Sequence, residues 1–159
     1  MVRVEIVSFA IDPRSGLPLV ILREVGGERS LAVPIEAGDA RAIAMHTLQV
    51  RIDKPSAVDL VKIVIEQLGA VFYRVVITDV SDNAFSSCII VHASGGAVKV
   101  IDCMPPTAIV LAVKGEVPMY VKEAVFSKLS DGRGLTEEER LRAGIRSVDA
   151  VEFGRYILE

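Results

Sequence analysis

Residues 70–103, AVFYRVVITDVSDNAFSSCIIVHASGGAVKVIDC, decide the fold. Three runs rich in Val, Ile and Phe are interrupted at Ser81-Asp82-Asn83 and at Ser94-Gly95-Gly96. Turn residues breaking β-branched runs at this spacing predict a three-strand meander. If Gly95-Gly96 is a two-residue hairpin turn, Cys88 lies opposite Cys103, Ile90 opposite Ile101, and His92 near the hairpin end opposite Lys99. The two cysteines then read as a pair of small buried thiols, with a disulfide as the alternative.

Upstream of the meander the hydrophobic period changes from 2 to 3.6. Ala57, Leu60, Val61, Val64, Ile65 and Leu68 form one stripe, and Ala40, Ile43, Ala44, Thr47 and Leu48 form another. Both predict core-facing helices. The later one is sharply delimited: Ser56 with Asp59 makes a capping-box pattern, Lys62 and Glu66 an i,i+4 pair, and Gly69 a stop. Further upstream lies a second meander, with strands over 2–11, 17–25 and 29–33. Gly26-Gly27 turns its second hairpin, which sets Glu24 opposite Arg29 and Leu22 opposite Leu31.

Downstream, Pro105-Pro106 opens an apolar helix that closes at Lys114 and Gly115. A short strand over 117–121 and a helical segment over 122–128 follow. Ser130 to Gly134 reads as the linker, and Thr136 with Glu139 starts a charged helix ending near Gly144. The expected architecture is therefore α+β: one compact domain whose antiparallel or mixed sheet is built from two meanders, with a helix pair inserted between them and short C-terminal helices. Residues 1–129 form the domain proper, and 130–159 a C-terminal extension packed on it.

The 159 residues suffice for one core, with a radius of gyration of ~15 Å. Eighteen basic against 21 acidic side chains leave a net charge of −3, so net charge does not support a nucleic-acid partner, and any such contact needs a local patch. No apolar run is long enough to span a membrane and no signal peptide is visible, which points to a cytoplasmic protein. One Asn and two Gln fit the depletion of thermolabile residues seen in proteins from hot environments.

Phosphate-loop, nucleophile-elbow and zinc signatures are all missing. What remains is a set of carboxylates at element ends: Asp39, Asp59, Asp79, Asp82 and Asp102. Converging carboxylates hold Mg²⁺ and activate water for phosphodiester attack. Each also has a plainer role: Asp59 and Asp39 favour helix starts, Asp82 a turn, and strand-end Asp79 and Asp102 can bond nearby amides. His46 and His92 read as surface or boundary residues, and Tyr73, Tyr120 and Tyr156 are too dispersed for a base-stacking platform.

Several separated segments resemble the bifunctional nuclease domain family. They are Leu17-Pro18-Leu19-Val20, Asp39-Ala40 with Ala42-Ile43-Ala44, Pro55 with Asp59-Leu60, and Leu68-Gly69-Ala70. Val76-Ile77-Thr78-Asp79, Phe85, Asp102, Pro105 with Ala108-Ile109, and Pro118-Met119-Tyr120-Val121 with Glu123 extend the likeness over residues 17–126. It implies a homodimer with nuclease activity on DNA and RNA. On that footing Asp59, Asp102, Asp79 and Glu123 are the candidate catalytic residues, with Asp59 and Asp102 as ligands for Mg²⁺ or Mn²⁺. Three polar family positions differ: Val58 stands where the family usually carries His, Met104 where it carries Arg, and Thr107 where it carries Asp. A Glu of the first helix region appears as Asp39. The competing expectation is a catalytically degenerate, dimeric interaction or regulatory protein on the same fold, using an exposed apolar edge or residues 135–159 as its contact surface.

Overall fold

A computed structural model describes residues 1–82, 84–130 and 147–158. Three strands come first, β1 (Val2–Ile11), β2 (Pro18–Glu24) and β3 (Ser30–Pro34), then helices α1 (Ala37–Thr47) and α2 (Ala57–Gln67). The second meander is β4 (Val71–Ser81), β5 (Ala84–His92) and β6 (Val98–Cys103). It leads into α3 (Pro105–Gly115), β7 (Met119–Val121), α4 (Glu123–Lys128), β8 (Ser147–Val148) and α5 (Ala150–Leu158). The expected Thr136–Glu139 helix start lies outside the described residues.

One mixed sheet runs β3-β2-β1-β7-β4-β5-β6, with β8 beside the far end of β1. Each meander is antiparallel within itself. The join is β7, antiparallel to β1 through Val4↔Met119 and parallel to β4 through Val75↔Met119. The sheet does not close into a barrel. This is the α+β arrangement that the alternation and the helical stripes predict.

Helices cover one face. Ile43 of α1, Ile109 and Val110 of α3, Phe126 of α4 and Phe153 of α5 pack on Val4, Phe9, Leu22, Val33, Ile77 and Val121. Phe153 stacks on Phe9 with ring centroids 4.3 Å apart. Gly154 lets α5 approach α1 closely, since a Cβ there would sit 3.0 Å from the Leu48 side chain. A second cluster joins Ala108, Leu111 and Ala112 of α3 to Phe72, Val75, Ile89 and Val91.

The β2–β3 hairpin has the expected register, with Leu22↔Leu31 and an Arg29–Glu24 ion pair at 2.8 Å. The β5–β6 hairpin does not. Cys88 pairs with Asp102, Cys103 with Ser87, Ile89 with Ile101, and His92 with Val98. Ala93 bonds Ala97 across the three-residue loop Ser94-Gly95-Gly96, in which both glycines take positive φ, +97° and +86°. One extra loop residue slips the pairing by one, and with a period of two that slip turns side chains to the opposite face. Cys88 therefore lies on the face away from the helices with Val76 and Ile90, while Cys103 points under α3. Both are free thiols, and a disulfide between them is ruled out by this register.

The second departure is α2. No residue of this helix is buried, and Leu60, Val61, Val64 and Leu68 of its stripe are 47%, 38%, 52% and 73% exposed. Only the flank carrying Val58 and Ile65 meets the core. Helix α3 lies between α1 and α2 and already fills the centre of the sheet, leaving α2 an outer position.

The cysteine register makes a simple prediction. Protein purified without reductant and unfolded in an alkylating agent gains two adducts by mass, and a fraction gaining none would contradict the register. In the folded state both thiols react slowly, because burial raises their pKa above the usual thiol range.

Candidate functional site

The N-terminus of α2 is built by Ser56 and Asp59. The Ser56 amide and hydroxyl donate to Asp59 Oδ2 at 2.7 and 2.6 Å, while Asp59 N–H donates to Ser56 Oγ at 3.3 Å. This reciprocal box satisfies helix-end groups that would otherwise lack partners. The second carboxylate oxygen is held from another element: Lys114 Nζ, in the last turn of α3, donates to Asp59 Oδ1 at 2.7 Å. Both side chains are largely buried, 12% exposed for Lys114 and 19% for Asp59. Partial burial pushes the Asp59 pKa up, but Lys114, the Ser56 hydroxyl and the Ser56 amide together outweigh it and hold the group at about 2.

Beside this pair opens a pocket of about 380 Å³ between α1, the 50–56 connection and the facing ends of α2 and α3. Its polar wall is Arg41 and His46 of α1, Lys54, Ser56, Asp59 and Lys114. Ala42, Met45, Val50 and Ile52 supply the apolar part. Three cations against one carboxylate make it locally basic in a chain of net charge −3. Such a wall at a helix N-terminus, whose amides and dipole favour negative charge, suits an anion.

The other sequence-derived candidates lie elsewhere. Asp79 accepts from Lys128 Nζ at 2.5 Å and from Val80 N–H at 2.8 Å, which together hold its pKa low. Glu123 pairs with Arg29, which also binds Glu24 and lies over the Phe126 ring at 4.6 Å. Asp102 stands on edge strand β6 opposite Cys88, on the sheet face away from the helices. Asp39 caps α1 through the Glu36 amide at 3.3 Å. Asp59 is thus the one carboxylate of the candidate set that lines the pocket.

The donor set does not suit Mg²⁺ or Mn²⁺. Among the described residues no three His, Cys, Asp or Glu side chains gather where one ion could reach them. The sheet separates Asp59 from Asp102, and both Asp59 oxygens are already engaged. No chemical step is therefore assigned to a metal.

The sequence pattern missed Arg41, His46, Lys54 and Lys114. Arg41 and Met45 stand at i,i+4 on α1 with His46 adjacent, and Lys114 reads as ordinary C-terminal helix chemistry; only the packing of α3 against α2 turns it toward Asp59.

The sequence profile of the bifunctional nuclease domain matches residues 20–131. The chain belongs to the bifunctional nuclease domain family. Two uncharacterized Mycobacterium tuberculosis proteins, Rv1829 from strain H37Rv and MT1877 from strain CDC 1551, are each 26% identical to it over 157 residues. The alignments cover 99% of this chain and 93% of each relative. The matched segment takes in all the pocket residues named above. Within it, Val58 packs against the core, and Met104 is 72% exposed. No helix among the described residues is long and apolar enough to cross a membrane.

The Asp59 cluster carries a pH signature. A folded pKa of about 2 against ~3.9 when unfolded gives stabilisation that is complete above pH ~5 and fades as pH falls toward 2. After allowance for its partial exposure it amounts to about 2 kcal/mol. Urea titrations at pH 7, 4 and 2.5 should show this loss in the native protein. Asp59→Ala should be destabilised by about 1–3 kcal/mol at pH 7 and lack that part of the acid dependence.

Proposed function

We propose that this chain binds nucleic acid by seating a backbone phosphate in the pocket at the head of α2, and that it hydrolyses a phosphodiester there. The observation that carries this reading is the basic wall of Arg41, Lys54 and Lys114 inside the segment matched by the bifunctional nuclease profile. Arg41 and Lys54 are exposed and meet the phosphate. Asp59, kept ionised by Lys114, holds that lysine in place and does not serve as an acid.

The proton falls to His46. Imidazole both accepts and donates protons, and His46 brings that capacity to a pocket where position 58 supplies only an apolar side chain. In this scheme water adds to phosphorus while the bond to the departing sugar oxygen breaks, with His46 accepting the proton of the attacking water. Solvent protonates the leaving oxygen.

A second reading, an interaction or regulatory protein that has kept the fold without turnover, is favoured by the open apolar face of α2. The two are told apart with labelled single- and double-stranded DNA and RNA, assayed with Mg²⁺, with Mn²⁺ and with chelator. Arg41→Gln with Lys54→Gln should weaken binding about ten-fold or more and lower the slope of log K against log salt by about 1 to 2. His46→Ala should retain binding and lose cleavage. Binding unchanged by the double substitution would exclude the pocket, and intact binding without cleavage by the native protein would leave the interaction reading.

A further inference from the structure

We infer that the face of the sheet turned away from the helices is a docking surface for single-stranded nucleic acid, whose bases stack on aromatic rings there and whose phosphates meet the cations between them. This surface is distinct from the pocket, which opens among α1, α2 and α3, and it stands whether or not the pocket binds.

Side chains dispersed in the sequence come together on this face. β4 carries a bulge between Phe72 and Arg74, whose partners on β5 are Val91 and Ile90. Phe72 and Val91 belong to the core under the helices and Ile90 to the opposite face, so Arg74 projects with Ile90. The extra residue of the bulge, Tyr73, stacks on His92 with ring centroids 4.2 Å apart. The Arg74 guanidinium carbon lies 5.4 Å from the centre of the Tyr73 ring and 5.3 Å from that of Tyr120. Tyr120 comes from β7, opposite Val76 of the same face. His92, Tyr73, Arg74 and Tyr120 thus make one row of flat groups.

The charge in this row is unspent. Among the described residues Arg74 has no ion pair, and its Nε is buried without a hydrogen-bond partner. Two rings orient the guanidinium without neutralising it. Exposed Arg3, directly opposite Tyr120, and exposed Lys122, two residues beyond it, add positive charge. Burial and Asp102 raise the Cys88 pKa while Lys122 and Arg74 act to lower it, which places both cations near the same face. The carboxylates here, Glu5 opposite Arg23 and Asp102 opposite Cys88, oppose neither Tyr120 nor Arg74. Tyr73, 46% exposed, keeps the end of the row open to solvent. Rings interleaved with free cations match bases interleaved with phosphates. Paired bases offer no free face, so the strand is single; an acidic peptide would engage the cations and leave the rings unused.

Equilibrium binding of a labelled oligothymidylate, and of an abasic oligomer of equal length, tests this on the full chain. Native protein should bind the intact strand about ten-fold or more tighter than the abasic one. Tyr73→Ala should remove that preference with the abasic affinity unchanged, whereas Tyr73→Phe should keep it. Arg74→Gln should weaken both strands and lower the slope of log K against log salt by about 1. With three tyrosines and no tryptophan, the emission of the native chain is that of tyrosine. The intact strand should quench it and the abasic one should not, a readout that needs no variant. Equal affinity for the two strands, a Tyr73→Ala protein that keeps the preference, or an oligoglutamate that competes as well as oligothymidylate would overturn the inference. Indifference to Arg41→Gln with Lys54→Gln would count against the pocket alone.

Discussion

Three residues hold the two halves of this protein together. Each meander can pair its own strands, but the sheet becomes continuous only where β7 inserts between β1 and β4. Val121 is fully buried at the end of that strand. Flanking backbone bonds extend its parallel side, Val75 N–H to Pro118 O at 3.1 Å and Lys122 N–H to Ile77 O at 3.0 Å. Because β7 follows α3 after a short connection, its position also anchors the C-terminal end of α3, and with it the lysine facing Asp59. A largely buried ion pair between two helices thus depends on a ladder at the centre of the sheet.

Much of this architecture was legible from neighbouring residues. The Glu24–Arg29 register and the Ser56–Asp59 box depend on local spacing and side-chain chemistry, and both occur as the sequence implies. The β5–β6 register was less accessible, since Ser94-Gly95-Gly96 supports a two- or a three-residue loop and the outcome differs by one position. The orientation of α2 could not be read from periodicity at all. An amphipathic stripe reveals that a helix has an apolar side, but not which neighbour, if any, covers it.

The candidate site shows the same division. Asp59 stands out through its cap, whereas Arg41, Lys54 and Lys114 are scattered, ordinary surface-type residues until α1, α2 and α3 are packed. Overall charge does not reveal such a patch: an average of −3 says little about a pocket whose own wall is cationic. Other carboxylates are absorbed in ties between elements. Arg29, gripping Glu24 and Glu123, joins the β2–β3 hairpin to α4, and the Lys128–Asp79 pair joins α4 to β4.

The late position of β7 in the chain has a consequence for biosynthesis. On the ribosome both meanders emerge complete while their facing edges, β1 and β4, still wait for the strand that separates and seals them. Loops closed over such sequence distances form slowly, whereas hairpins form quickly. Until β7 is added, the facing edges of β1 and β4 carry unpaired backbone groups, the kind of border through which strands of other chains pair.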